Sequence, residues 1–365
     1  MRRIAISVAA STMTLSLAGC GMLDATGGTA DASPRKGNDI TVGVLMPEKT
    51  NTRYEVFDYP IIKKKVASLT NDQGRTTYAN AAQDADVQAT QMQKMIDDKV
   101  DVILLDAVDS HAIRGMVQKA KDASIPVIAY DRLAEGPIDG YVSFDNELVG
   151  EVQGRTLAER LGSASKKIVM VNGSPTDPNA KQFKQGALSE LNGKVTIAET
   201  YDIKDWSPEG AQADMTKAID KIGKNNIAGV YSANDAMVGG IIKALEAAGV
   251  SELPPITGQD AELAAVQRII AGEQFMSVYK SYPEEAEAAA EMAVAKVQGH
   301  DIQFDALASD KVDSPTDSKI PAQLVTVVAL TKTNIEETVV ADGIYKVSDI
   351  CTAKYKATCT SLGLK

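Results

Sequence analysis

The stretch IPVIAYDRLAEGPIDGYVSFDNE, Ile125 to Glu147, decides how the chain is organised. Pro126 ends a helical segment, and VIAY is apolar at consecutive positions, as a parallel strand covered on both faces must be. Asp131 and Arg132 stand at its carboxyl end. A Gly/Pro turn leads into a second short strand, GYVSF, which also ends in polar residues: Asp145, Asn146 and Glu147. Open α/β sheets take ligands beyond the carboxyl ends of their strands. Two polar clusters at two such ends, with a new helical unit starting after the second, place a ligand site where the chain crosses between two lobes.

The same unit repeats on both sides. Before Ile125 come the strand ITVGVLM (40–46), a helix over FDYPIIKKKVASL, a weak strand at 76–80, a helix from about 89 to 96, the strand VDVILLDAV and a helix over 112–121. After Glu147 come a helix to about Leu161 and the strand KKIVMVNG. VTIAETYD, IAGVYSAND, PPITGQD and QFMSVYK follow as strands with helices between them, then the helix PEEAEAAAEMAVAKVQG and a last apolar strand, AQLVTVVALT. Alternating βα units imply parallel sheets with right-handed crossovers and helices on both faces. At 365 residues the chain exceeds what one core usually serves. The expected fold is therefore α/β, with two Rossmann-like lobes. Apolar content of 44% with only 5% aromatics fits layers of Val, Ile, Leu and Ala. The net charge of −11 lacks the basic footprint of a nucleic-acid binder.

The N-terminus, MRRIAISVAASTMTLSLAGC, has two arginines, an apolar run too short to span a bilayer, and small residues before Cys20. It resembles a lipoprotein signal over residues 1–19, with Leu17–Cys20 as the lipobox. The mature chain would then begin at a lipid-modified Cys20, followed by a flexible tether over 20–39 rich in Gly, Ser, Thr and Ala. The expected location is extracytoplasmic, with the chain held to the lipid bilayer through Cys20; more than one acyl chain makes such an anchor stable. In an exported chain the two remaining cysteines, Cys351 and Cys359, are expected to form a short-loop disulfide. With only two histidines in the chain, no metal site is expected.

Seven loops, VLMPEK, AYDR, SFDNE, NGSPTDPN, YSAND, TGQD and VYK, put polar groups straight after an apolar strand. Loops are polar in any case, but the topology brings these to one rim. Mixed carboxylates, amides and cations suit sugar hydroxyls, which both donate and accept. AYDR, SFDNE, GSPTDPNAK, SAND, GQDAELAAVQRIIAGEQ and VYK, taken in this order, resemble the type I periplasmic sugar-binding proteins of bacterial ATP-dependent importers. Within that family the resemblance is to the D-xylose and multi-sugar (xylose and glucose) members, over about residues 40–348.

That resemblance implies two lobes joined by a three-strand hinge: 40–144 plus 281–325, and 145–280 plus 326–365. It carries sugar contacts onto Arg53, Asp131, Arg132, Asp177, Asn179, Trp206, Asn234, Asp260 and Lys280. MPEKTNTR departs from the family pattern, with Tyr54 where a Trp is expected, and leaves Glu48, Lys49, Tyr54 and Phe57 as secondary candidates. Trp206, the only tryptophan, is expected to stack on a pyranose face. Asn146, Gln259 and Ser143 are expected to fix the crossing loops rather than meet ligand.

The implied function is capture of a monosaccharide, D-xylose or also D-glucose, for an ABC permease. A sugar sensor serving a chemoreceptor or kinase is the alternative. No cofactor is implied, and the chain is expected to be a monomer that binds no nucleic acid. No GxSxG, HExxH or P-loop motif occurs. Asp131 and Asp260 could be a glycosidase pair, but they serve binding equally well, so no enzymatic activity is expected.

Overall fold

The computed structural model describes residues 36–49 and 51–364. The expected signal peptide, Cys20 and the tether as far as residue 35 lie outside the described residues.

The first sheet uses β1 (Thr41–Met46), β2 (Arg75–Asn80), β3 (Val102–Leu105), β4 (Val127–Tyr130) and β5 (Gly140–Phe144). Late in the chain follow β6 (Lys167–Asn172), β7 (Thr196–Asp202), β8 (Gly229–Ser232), β9 (Ser277–Lys280), β10 (Asp310–Val312), β11 (Ile320–Val325) and β12 (Val327–Leu330). β10 and β11 join the first five strands in the order β10-β11-β5-β4-β3-β1-β2, parallel except at the β10 edge. β3, β4 and β5 are buried at every position, which accounts for their unbroken apolar runs. Helices α1 (Tyr59–Leu69), α2 (Ala85–Asp97) and α3 (Arg114–Asp122) cover this sheet together with a helix much later in the chain.

The second lobe carries α4 (Asn146–Leu161), α5 (Pro178–Leu191), α6 (Pro208–Ile222), α7 (Asp235–Ala247) and α8 (Leu263–Ala271) around the parallel strands β7-β6-β8. The strand expected at PPITGQD is reduced to single bridges, Val230 to Ile256 and Gln259 to Val278. Pro254 and Pro255 have no N–H to give to a ladder. Those bridges lead to β9, which pairs antiparallel with β12. AQLVTVVALT, expected as one strand, is split between the lobes: β11 ends beside Phe144 in the first sheet, and β12 starts beside Lys280 in the second.

The chain thus changes sheets between β5 and β6, between β9 and β10 and between β11 and β12, and the Asp145 N–H reaches the Val325 carbonyl at 3.4 Å. After Ser281, α9 (Tyr282–Gln298) returns to the first lobe and buries its alanine face on β3, β4 and β5. From Thr331 a C-terminal segment packs on α8 through Ile335, Val339, Ile344 and Ile350. Its end is closed by the expected disulfide, Cys351–Cys359, with Cα atoms 5.9 Å apart.

α4 and α5 approach closely because both present glycine. A Cβ on Gly186 would stand 2.0 Å from the Glu147 carbonyl oxygen, and one on Gly150 would stand 2.0 Å from that of Phe183. Gly186→Ala should therefore cost about 1–3 kcal/mol, the usual penalty for overpacking. Gly239→Ala, on a helix face with nothing within 4 Å, should stabilise by roughly 0.5–1 kcal/mol through backbone entropy. Denaturant midpoints of the two variants check both signs.

Candidate functional site

Between the lobes lies a small polar cleft. It is lined by all nine residues carried over as sugar contacts, together with Glu48, Asn51, Tyr54, Phe183 and Gln259. Several are held by the local constraints of strand ends and helix starts. Asp177 caps α5, its Oδ1 accepting the Asn179 N–H at 2.9 Å, and Asn234 caps α7, its Oδ1 accepting the Met237 N–H at 3.1 Å. Asp131 (φ 56°), Trp206 (φ 55°) and Asp260 (φ 93°) lie in the left-handed region, a cost that persists where surrounding bonds fix the turn. For Asp131 those bonds are plain: its carbonyl accepts from Tyr141 Oη at 2.8 Å, Ser143 Oγ at 2.7 Å and Asn179 Nδ2 at 3.0 Å.

Each cation of the cleft has a carboxylate partner. Lys280 Nζ lies 2.8 Å from Asp260, Arg132 Nε 2.9 Å from Asp177, and Arg53 Nη1 3.3 Å from Asp131. Arg53 also binds Asp58 at 2.8 Å and forms a close pair with Glu285, and its guanidinium lies 4.4 Å over the Tyr282 ring. Arg132 further approaches Asp106 at 3.5 Å and donates to the Ala107 carbonyl at 3.2 Å. Burial pushes the Asp131 carboxyl up, but Arg53, Lys280 and Arg132 outweigh it and hold the group below the usual carboxylate range. Burial dominates at Asp58, Asp106, Asp177 and Glu285, and raises all four.

Contacts between side chains cross the cleft directly, among them Arg132 to Asp177, Asn179 Nδ2 to Asp131 Oδ1 at 3.0 Å, and Asn51 Nδ2 to Asp260 Oδ2 at 3.2 Å. Trp206 is buried among second-lobe core residues, meets Phe183 edge-on, and donates from Nε1 to Asp177 Oδ2 at 3.1 Å. It thus both packs on its own lobe and lines the cleft.

The secondary candidates divide. Glu48 and Tyr54 are buried in the lining, with Tyr54 Oη donating to Asp131 at 3.3 Å. Lys49 is exposed and lies 3.9 Å from Glu55. Phe57 is packed against Tyr282 and Tyr345, away from the cleft. Ser143 fixes the Asp131 loop, and Asn146 Nδ2 donates to Ser143 Oγ at 3.4 Å, the loop-fixing role expected of both. Gln259, expected only to fix a loop, lines the cleft. Asn51, Phe183, Asp58, Asp106 and Glu285 were not anticipated. Asp106 ends β3 as Asp131 ends β4, so that signal was present. Glu285 sits on a surface-like Ala/Glu pattern, where only the fold shows which glutamate turns inward.

The architecture and the ring of strand-end polar groups define a two-lobed solute-binding protein. Residues 42–301 match the periplasmic binding protein domain, and the chain belongs to that family. It is similar to the D-xylose-binding periplasmic protein of Escherichia coli (strain K12), 34% identical over 86% of this chain and 93% of that one. It is also 32% identical to the multiple sugar-binding periplasmic receptor ChvE of Rhizobium radiobacter, over 85% of this chain and 92% of the relative. An ABC transporter solute-binding protein from Clostridium phytofermentans with bound β-D-glucose superposes with a TM-score of 0.78 at 26% identity, covering 85% of this chain and 99% of that one.

Gly173 leaves room for the indole: a Cβ there would stand 2.0 Å from the Trp206 ring. Gly173→Ala must displace the ring into the cleft or out of the core. Since Trp206 is the only tryptophan, intrinsic emission should shift to the red in this variant while far-UV dichroism stays unchanged. An unshifted spectrum would show that the ring is not seated against Gly173.

Proposed function

We propose that this chain is the extracytoplasmic binding subunit of an ABC importer, closing its two lobes on an uncharged monosaccharide in pyranose form, D-xylose and also D-glucose. The observation that carries this reading is the pairing of cleft charges beside buried amide oxygens, Asn179 Oδ1 and Gln259 Oε1, that have no hydrogen-bond partner among the described residues. With every cation of the cleft already paired, no free positive charge calls for an anionic ligand, and open acceptors call for hydroxyl donors. No catalytic role is assigned; the same groups bind without chemistry.

In this reading Arg53, Asp131, Arg132, Asp177, Asn179, Asn234, Asp260 and Lys280 meet the hydroxyls, and Trp206 meets the C–H face of the ring. Glu48 and Tyr54 form the first-lobe wall. The moving bodies are residues 40–144 with 281–325 and 145–280 with 326–365, a division supported by the strand registers on either side of Asp145, Ser281 and Thr326. Binding shifts an open–closed equilibrium toward the form a permease recognises. The protein acts as a monomer held to the membrane by lipid on Cys20.

Xylose and glucose share their equatorial hydroxyls at C2, C3 and C4, so the strand-end groups treat them alike and discrimination falls to the first-lobe wall. Calorimetry with a monosaccharide panel should find both sugars bound, with xylose modestly favoured. Galactose, axial at C4, should bind worse than glucose because one hydroxyl contact is lost while its partner stays buried. Galactose binding as tightly as glucose would refute the assigned contacts, and no binding by any sugar would refute the ligand class. Trp206→Ala should weaken sugar binding by about 2 kcal/mol or more, as loss of a desolvated aromatic anchor does. Cys20→Ser should abolish lipid labelling in cells and release the protein from membranes or leave it unprocessed; full retention and labelling would exclude the anchor.

A further inference from the structure

Phe57 stands in a π-helical turn, Tyr54–Asp58, that follows directly on Arg53 and continues into α1, so its backbone belongs to the first lobe. Its ring stacks on Tyr282, with centroids 5.9 Å apart and planes at 29°, and meets Tyr345 edge-on at 5.9 Å and 76°. Tyr345 belongs to the other body. It lies in the C-terminal segment whose apolar side chains pack on Val266, Ile269 and Ile270 of α8. That segment is fastened to β9 by the hydroxyl of Tyr279, which donates to Asp342 Oδ2 at 2.5 Å, and its end is closed by Cys351–Cys359. The Phe57–Tyr345 contact therefore crosses from one lobe to the other outside the cleft.

The contact is also continuous with the site. Tyr282 begins α9 immediately after the Ser281 crossing; its ring faces the Arg53 guanidinium and its hydroxyl donates to the Asp260 carbonyl. Opening the lobes would separate Phe57 from Tyr345 and return apolar ring surface to water, which favours the closed form.

We propose that Phe57 and Tyr345 form an interlobe clasp that sets the open–closed equilibrium, and so the affinity for every ligand of the cleft, without touching the ligand. They are positioning residues, and the proposal rests on the monosaccharide reading only for the choice of probe. A clasp on the closed state alters the apparent affinity for all ligands by one common factor. A lining residue alters it by an amount that depends on the sugar.

The test is a double-mutant cycle with Phe57→Leu and Tyr345→Ala, reading dissociation constants for D-xylose and D-glucose by calorimetry, with small-angle scattering of each sugar-free protein. Each single variant should weaken both sugars by the same factor, roughly 3- to 10-fold as the loss of one aromatic pair implies. The double variant should bind no more weakly than the weaker single. Tyr345→Phe keeps the ring and should retain the original affinity. Unchanged constants, a loss differing more than twofold between the sugars, or losses that multiply in the double variant would overturn the clasp. If neither sugar binds the unsubstituted chain, the ligand reading fails and scattering decides: a larger radius of gyration in Phe57→Leu supports the clasp, and identical curves reject it.

Discussion

One guanidinium, that of Arg53, is shared by three carboxylates in a site closed to water: Asp58, Asp131 and Glu285. Buried charge is tolerated only when paired and hydrogen-bonded, because desolvation otherwise exceeds the Coulombic gain. Much of the first lobe's rim follows from meeting that requirement. α9 must return across the hinge to bring Glu285, the turn after β1 must bring Asp58, and the end of β4 must adopt a left-handed residue to bring Asp131. The outcome is unequal by design of the surroundings: Asp131 is held ionised facing the cleft, while burial raises Asp58 and Glu285 behind it.

The second lobe answers with the same logic at lower density. Asp177 is held by the start of α5, by Trp206 and by Arg132 of the opposite lobe; Asp260 is held by Lys280 and by Asn51 of the opposite lobe. Apart from the Asn179 amide, contacts across the cleft thus join groups already partnered on their own side. In the proposed reading, separating the lobes leaves most charges with one partner, so an open form is accessible and the ligand adds the bonds that favour closure.

Much of this was legible in the sequence because strand ends are local. AYDR, SFDNE, NGSPTDPN and SAND each show a run of buried apolar residues stopping at polar groups, and parallel topology makes such ends converge. What was not legible depends on side chains turning inward from patterns that look like surface. Glu285 is one of several acids in PEEAEAAAE, and Asn51 is one polar residue among many after β1. Phe57 is only a secondary candidate for the ligand face on sequence. Helical winding instead turns it toward Tyr282 and a C-terminal segment nearly 290 positions later, a contact that no local pattern encodes. The PPITGQD segment failed as a strand for a local reason, the two prolines with which it begins.

The central claim is that a neutral sugar is held by charges already paired within the protein, and that the lobes close around it. Small-angle scattering across a D-xylose titration addresses this directly when set beside calorimetry in buffers of differing ionisation enthalpy. The account predicts that the radius of gyration falls with the same midpoint as the heat, and that no net proton is taken up or released. Binding without any change in dimensions, or with uptake or release of a whole proton, would contradict it.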